Sequence, residues 1–484
     1  MTGQRVLRTA LGTGASLLAL LCFSGCGPSE RSVERLRAPD ANVVFITIDT
    51  LRADHLGCYG YERDTTPHLD SLAAEGVRFE KAFSPRGLTF PAVASIMTSK
   101  YVYTHGVIGM YKTALPESHE TLAEVMRELG YRTAAFNAHL AFLEETGYHQ
   151  GFDEFHLFHS RDEPEMYDRA SDWLAENRDT KFFMWIHSFG PHTPYEQPKP
   201  WKEKFTDPSY AGRFDGSQKQ LYDVALAQES AEFSDEDKAH TIALYDGKLS
   251  WVDHHLNRVL VKLNELGLRE RTLVIVSADH GEELFDHFYF FSHEASVHDG
   301  VLRVPLLMSL PGRFPAGVTI GEKVVEVIDI MPTILDVLGQ VPDGAVQGQS
   351  LLPLIAGIDE DGHSYAYGSV DNDRSPLSVL TIRSPRWRYI HNPKRYGPWN
   401  VRFAEEELYD LEVDPAARQN VVEEHPKLAA VLRLELLRWA GRTAELGAPQ
   451  RRVEDADLEE RLRALGYVEG MRWAEEVEAA PGDP

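Results

Sequence analysis

Short, nearly continuous apolar runs rich in β-branched and aromatic residues recur along the chain. The first, Val43-Val44-Phe45-Ile46-Thr47-Ile48, stops abruptly at Asp49. Later runs are Phe182-Phe183-Met184-Trp185-Ile186, Thr272-Leu273-Val274-Ile275-Val276 and Val304-Pro305-Leu306-Leu307-Met308. Runs this short and without alternation predict strands buried on both faces, as in a parallel sheet. Between them the apolar period changes to that of a helix. Thr66-Pro67 opens one helix, with Leu69, Leu72 and Ala73 following. Tyr245, Leu249, Val252, Leu256, Val259, Leu260 and Leu263 mark a longer amphipathic one. Strands alternating with helices predict an α/β fold, its mainly parallel sheet sandwiched by helices and its site at the carboxyl ends of the strands.

The texture shifts toward the C-terminus, where Ser378-Val379-Leu380-Thr381-Ile382, Trp387-Arg388-Tyr389-Ile390 and Glu407-Leu408-Tyr409-Asp410-Leu411 precede a helix with Leu428, Val431, Leu432, Leu436 and Leu437 as its main apolar residues. This predicts a smaller α+β subdomain over 341–446, after a catalytic domain over 42–340. A charged tail, 447–484, carries one further helical stretch around Leu458, Leu462 and Leu465. At 484 residues, 43% hydrophobic and 26% charged, the composition is that of a folded chain rather than a disordered one.

The N-terminus changes the picture. Arg5 and Arg8 precede an apolar run through Leu17, Leu18, Leu20 and Leu21, which ends at Phe23-Ser24-Gly25-Cys26. A basic start, a short apolar core and small residues before a cysteine predict an export signal over 1–26. The last four residues resemble a bacterial lipobox, which implies lipidation at Cys26; a plain signal peptide is the alternative. Residues 27–41 then serve as a tether, and the chain is expected in the bacterial cell envelope, anchored to the membrane. Cys22, Cys26 and Cys58 are the three cysteines, too few after processing for a disulfide framework. The net charge of −26 disfavours nucleic acid as a partner.

Asp49 ends one strand and Asp279-His280 another, so two distant segments can bring two carboxylates and an imidazole to one sheet edge. These donors suit a divalent ion: zinc or manganese with the histidine, calcium with carboxylates alone. A single Asp after a strand is otherwise a turn or cap residue.

The surrounding residues, Asn42 through Asp49-Thr50-Leu51-Arg52-Ala53-Asp54-His55 to Gly60, closely resemble the opening of the sulfatase family, within the alkaline phosphatase superfamily. Thr66-Pro67-His68-Leu69-Asp70, Pro91 to Ser99 with Thr104-His105-Gly106, Pro191-His192-Thr193-Pro194-Tyr195, Ala278-Asp279-His280-Gly281, Val304-Pro305-Leu306 and Leu408-Tyr409-Asp410-Leu411 follow in the family's order. The resemblance implies an alkaline-phosphatase-like fold, one divalent metal on Asp49, Thr89, Asp279 and His280, and a covalent mechanism on a sulfate or phosphate ester.

Several positions depart from the family, among them Thr50, where a second acidic residue is usual. The nucleophile pattern, Cys or Ser then x-Pro-x-Arg, is here Thr89-Phe90-Pro91-Ala92-Val93, and threonine cannot become the formylglycine aldehyde. Asn137-Ala138-His139 stands where Lys-x-His is usual, and His280 where the family has Asn. By position, Thr89 is the nucleophile, His192 binds the ester or protonates the leaving group, and His139 and His293 contact the transferred group. Asn137 and Arg86 are substrate-binding candidates, with Arg86 a substitute for the arginine missing at Val93. Thr89 also suits a helix N-cap, and isolated histidines are most often structural. Three functions fit: an ester hydrolase, a transferase passing a phosphorylated alcohol from lipid to a surface glycan, or a degenerate ligand-binding member. The expected substrate is an ester, glycan- or lipid-linked.

Overall fold

The computed structural model describes residues 28–452, apart from 111–112, 218–232, 288–292, 295, 343–345, 359–361, 373–374, 394, 396–403 and 448–450. The export signal with Cys26 and the tail stretch around Leu462 lie outside the described residues.

The four apolar runs are strands: β1 (Asn42–Ile48), and, after β2 (Val77–Phe83), β3 (Thr113–Ala114), β4 (Arg132–Asn137) and β5 (Glu154–Leu157), come β6 (Phe182–Ser188), β7 (Thr272–Ser277) and β8 (Arg303–Ser309). With β9 (Val318–Ile320) and β10 (Val325–Glu326), all but β3 build a nine-stranded sheet in the order β10-β2-β8-β7-β1-β6-β4-β5, β9 pairing on β2, while β3 pairs with Arg451–Arg452. Every residue of β1, β6 and β7 is buried, which explains the absence of alternation. β7, β1, β6, β4 and β5 run parallel. β8 does not; it runs antiparallel to both β7 and β2. The connection from β7 stays at the carboxyl edge of the sheet, so the chain must turn back.

Helices flank this sheet, among them α1 (Pro28–Leu36), α2 (Pro67–Ala74), α3 (Thr89–Thr98), α4 (Glu163–Glu176), α5 (Asp235–Glu265) and α6 (Ile330–Val337). The expected tether over 27–41 is shorter than its composition suggests. Leu36 and Ala41 are buried in the main core, and Arg37 pairs with Asp336 at 2.9 Å, so this segment is part of the fold.

The C-terminal subdomain is an antiparallel sheet in the order β11 (Ala366–Asn372), β12 (Ser375–Arg383), β13 (Trp387–His391), β14 (Glu406–Asp410), covered by helix α7 (Pro426–Glu445). Leu432, Leu436 and Trp439 face its core, whereas Val431 and Leu437, expected there, are exposed. The two domains meet at His363, whose Nε2 lies 2.8 Å from Asp329. Burial disfavours the imidazolium, but Asp329 outweighs it and holds the pKa up to about 9. A raised histidine stabilises the fold fully below its unfolded value of about 6.5, and that contribution fades as pH climbs through about 9. Urea midpoints taken from pH 6 to 9.5 should therefore fall by an amount worth about 1–3 kcal/mol, and His363→Gln should flatten most of that fall.

Candidate functional site

Neighbouring strands β7, β1 and β6 present the polar residues at one edge. Thr47 on β1 stands level with His187 on β6 and Ser277 on β7, so Asp49, His187 and Asp279 emerge side by side. One ligand atom from each of these three lies within 4.8 Å of the others, and all three are buried. Both oxygens of Asp49, Oδ2 of Asp279 and Nε2 of His187 are buried without a hydrogen-bond partner among the described residues. Unpaired buried carboxylates are costly, and two of them facing one another are more so. Burial first, and the neighbouring carboxylates second, push the Asp49 carboxyl well above the usual range, and burial lifts Asp279 to about 7. A cation relieves this strain, so the residues fit a divalent metal.

The imidazoles are set for it. His280 donates from Nδ1 to the carbonyl of Gly281 at 2.9 Å, which leaves the Nε2 lone pair facing Asp279 Oδ2 at 3.5 Å and Asp49 Oδ1 at 3.7 Å. His187 was not anticipated as a site residue. Its Nδ1 lies 2.8 Å from Thr47 Oγ1, which accepts from Trp185 Nε1 and has Ile186 O as an outlet for its own proton. That arrangement makes Nδ1 the donor and opens Nε2 to the cluster. The signal in the sequence was a polar residue closing an apolar strand one residue past the quoted run.

Thr89 Oγ1 lies 3.3 Å from His280 Nε2. Thr89 is the first residue of α3, with Leu88 as the N-cap, so the N-cap reading of Thr89 is displaced by one position. Its hydroxyl thus stands beside the carboxylates at the positive end of a buried helix. Two glycines permit the packing around it. A Cβ on Gly281 would meet the carbonyl of Gly300 at 2.1 Å, and one on Gly87 would meet that of His293 at 2.5 Å. Gly281→Ala should displace His280 and cost about 1–3 kcal/mol, read as a lowered urea midpoint with loss of bound metal.

His293 stacks on His280 with ring centroids 4.3 Å apart, and its Nδ1 lies 3.2 Å from Glu282. Burial opposes its charge, but Glu282 prevails and raises its pKa. His192, 5.4 Å from the His293 ring, donates from Nδ1 to Thr193 O, and burial holds its pKa down to about 3. With Nδ1 so engaged, its Nε2 is left as an acceptor. Lys248 on α5 fixes its loop by donating to the carbonyls of His192 and Pro194. Sequence reasoning also passed over Lys248 and Glu163, both buried, whose charges influence one another where α4 and α5 pack together.

Asn137 ends β4. Its Oδ1 accepts from the His139 amide, and its buried Nδ2 has no partner among the described residues. The His139 ring sits 6.4 Å from that of His187 and 5.3 Å from Phe189. Arg86 donates to Ser369 O and Ile108 O, so it ties the segment before Thr89 to β11.

This sheet, with carboxylates, imidazoles and a hydroxyl converging at its carboxyl edge, is alkaline-phosphatase-like and defines an ester hydrolase. A family model described as sulfatase matches residues 41–340, and the chain belongs to the sulfatase family. A second, described as the C-terminal part of N-sulphoglucosamine sulphohydrolase, matches 283–439. The arylsulfatase of Clostridium perfringens is 25% identical over 477 residues, covering 82% of this chain and 94% of its own. An ulvan-active sulfatase of Formosa agariphila is 28% identical over 387 residues, with 73% and 72% covered. Among solved structures, the phosphonate monoester hydrolase of Agrobacterium radiobacter superposes with a TM-score of 0.67 at 24% identity, covering 83% of this chain and 96% of that one. A 2-O GAG sulfatase gives 0.69 at 20%, with 87% and 96% covered. At these identities the structures speak for the fold.

Proposed function

We propose that this chain is a metal-dependent hydrolase of phosphate esters or phosphodiesters that uses Thr89 as its nucleophile. The observation that carries the reading is the Thr89 hydroxyl 3.3 Å from His280 Nε2, beside Asp49 and Asp279. A divalent ion held by Asp49, Asp279 and His280, with His187 alongside, would lower the hydroxyl pKa and offset charge on the ester. The imidazoles favour zinc or manganese over calcium.

The Thr89 hydroxyl gives up its proton to solvent, its oxygen forms a bond to phosphorus, and the bond from phosphorus to the ester oxygen breaks. His293, whose pKa Glu282 raises against the effect of burial, stabilises the phosphoryl oxygens, and His192 handles the leaving-group proton once the anion raises its pKa. Water then attacks phosphorus and frees Thr89. A sulfated threonine lacks the aldehyde collapse by which formylglycine expels sulfate, which tilts the reading toward phosphorus. The N-terminal signal and Cys26 support an exported enzyme anchored by lipid, placing the site within reach of envelope glycans or lipids; among the described residues no helix is long and apolar enough to cross a membrane.

Purified protein should be supplied with manganese or zinc and offered aryl phosphates, bis-aryl phosphates, aryl phosphonates and aryl sulfates. Turnover of a phosphorus ester with label retained on the Thr89 peptide supports the reading. Sulfate ester turnover alone would refute it.

A further inference from the structure

Two buried charges of opposite sign, Glu163 at the start of α4 and Lys248 on α5, take no part in the chemistry described so far. Glu163 is fully buried and Lys248 is 7% exposed. Burial opposes both: it lowers the lysine pKa and raises that of the carboxyl, and each charge acts on the other against this effect. Such charges are a poor source of stability, because their desolvation offsets most of their attraction. Apolar residues of similar volume would join two helices at least as well. What these two side chains do hold is a turn.

The turn runs from Ser188 to Pro194, leaves the end of β6 and carries His192. At its start, Ser188 Oγ donates to Glu163 Oε1. Further on, Lys248 Nζ donates to the carbonyl of His192 and, at 2.9 Å, to that of Pro194. Between these points the backbone rests on both side chains. A Cβ on Gly190 would meet Lys248 Cε at 3.2 Å and Glu163 Oε2 at 3.4 Å. The ammonium also lies 5.4 Å from the Phe189 ring, which is itself 4.7 Å from that of His192.

Little else fixes the imidazole. Its Nδ1 donates to Thr193 O inside the same turn, and the His192 amide donates to Phe189 O at 3.1 Å. The position of Nε2 is therefore set by the backbone of the turn. The neighbouring His293 ring stacks on His280, so a shift of the turn would move His192 relative to the metal ligands and Thr89. An ammonium offers three donors, and two of them here clamp carbonyls on either side of Thr193. We propose that Lys248, with Glu163 behind it, is a positioning residue that holds His192 where its Nε2 proton reaches the leaving-group oxygen. The inference rests on the reading above, in which His192 serves the leaving group. In that step His192 takes a proton from solvent as the anionic ester binds, and the Nε2–H bond breaks as the leaving oxygen gains the proton.

Aryl phosphates with graded leaving groups test this. Lys248→Met should lower kcat on phenyl phosphate by about 10²-fold with KM little changed. On dinitrophenyl phosphate the loss should stay below about threefold, since a good leaving group departs without a proton. His192→Gln should show the same contrast, and adding Lys248→Met to it should cost less than about threefold more. Lys248→Met leaves Glu163 without its opposite charge; if that variant unfolds, Lys248→Met with Glu163→Gln removes both charges and carries the same test. Equal losses on the two esters would overturn the proposal, as direct contact with the substrate or general disruption predicts them. No loss on either ester, or a loss that multiplies with that of His192→Gln, would overturn it too. If only the Lys248 variants lack the contrast, the positioning role fails and the functional reading stands. If His192→Gln lacks it as well, that reading of His192 fails and the proposal falls with it.

Discussion

Thr89→Ala should lower turnover of a phosphorus ester by about 10³-fold or more, with fold and bound metal retained, whereas Thr89→Ser should stay within about tenfold of the parent. The side chain is 3% exposed and its helix is buried throughout, so loss of the hydroxyl leaves the backbone of α3 where it is. Serine keeps the nucleophilic oxygen and loses a methyl group. The contrast separates chemistry from packing: a packing role would weaken both variants alike in thermal unfolding, and a nucleophilic role divides them only in rate. Alanine activity equal to the parent on every substrate would remove Thr89 from the mechanism. Metal content measured on the same samples guards against a change in the site itself.

Adding manganese or zinc to chelator-treated protein should raise the melting temperature, by an amount worth about 2.7 kcal/mol at a hundredfold excess over Kd. Asp49→Asn should abolish that gain and raise the melting temperature of the metal-free protein. The signs differ for one reason. Without an ion, Asp49 and Asp279 are two buried acceptors with unpaired oxygens, and their repulsion and desolvation weigh against the fold. Asparagine removes one charge and relieves this, but it withdraws a ligand. If the metal-free Asp49→Asn protein is less stable than the metal-free parent, the carboxylates are held by some other group and the metal assignment fails. Calorimetry, with metal content by elemental analysis, reads both arms.

Some of this site was legible because strand ends are local. The apolar runs stop at Asp49 and shortly before Asp279, and a run buried on both faces has nowhere else to place its first polar residue. Thr89 was legible only through the spacing of its segment and needed α3 to bring its hydroxyl to His280. His187 escaped notice because a polar residue closing an apolar strand is an ambiguous signal until register sets it level with Thr47, two residues before Asp49. His293 and His192 are ordinary histidines in the chain and become distinct only through Glu282 on one and the Thr193 carbonyl on the other.

The sequence alone determined the class of fold, since the period of its apolar residues and the length of its runs depend on local burial. It also determined the departure at Thr89, a matter of side-chain chemistry. Tertiary structure decided the rest: that β8 runs against β7, that residues 28–41 pack rather than dangle, that Val431 and Leu437 face outward, and that His187 completes the cluster. Each of these depends on which distant segments become neighbours, and a helical or strand period specifies a face without naming what it will meet.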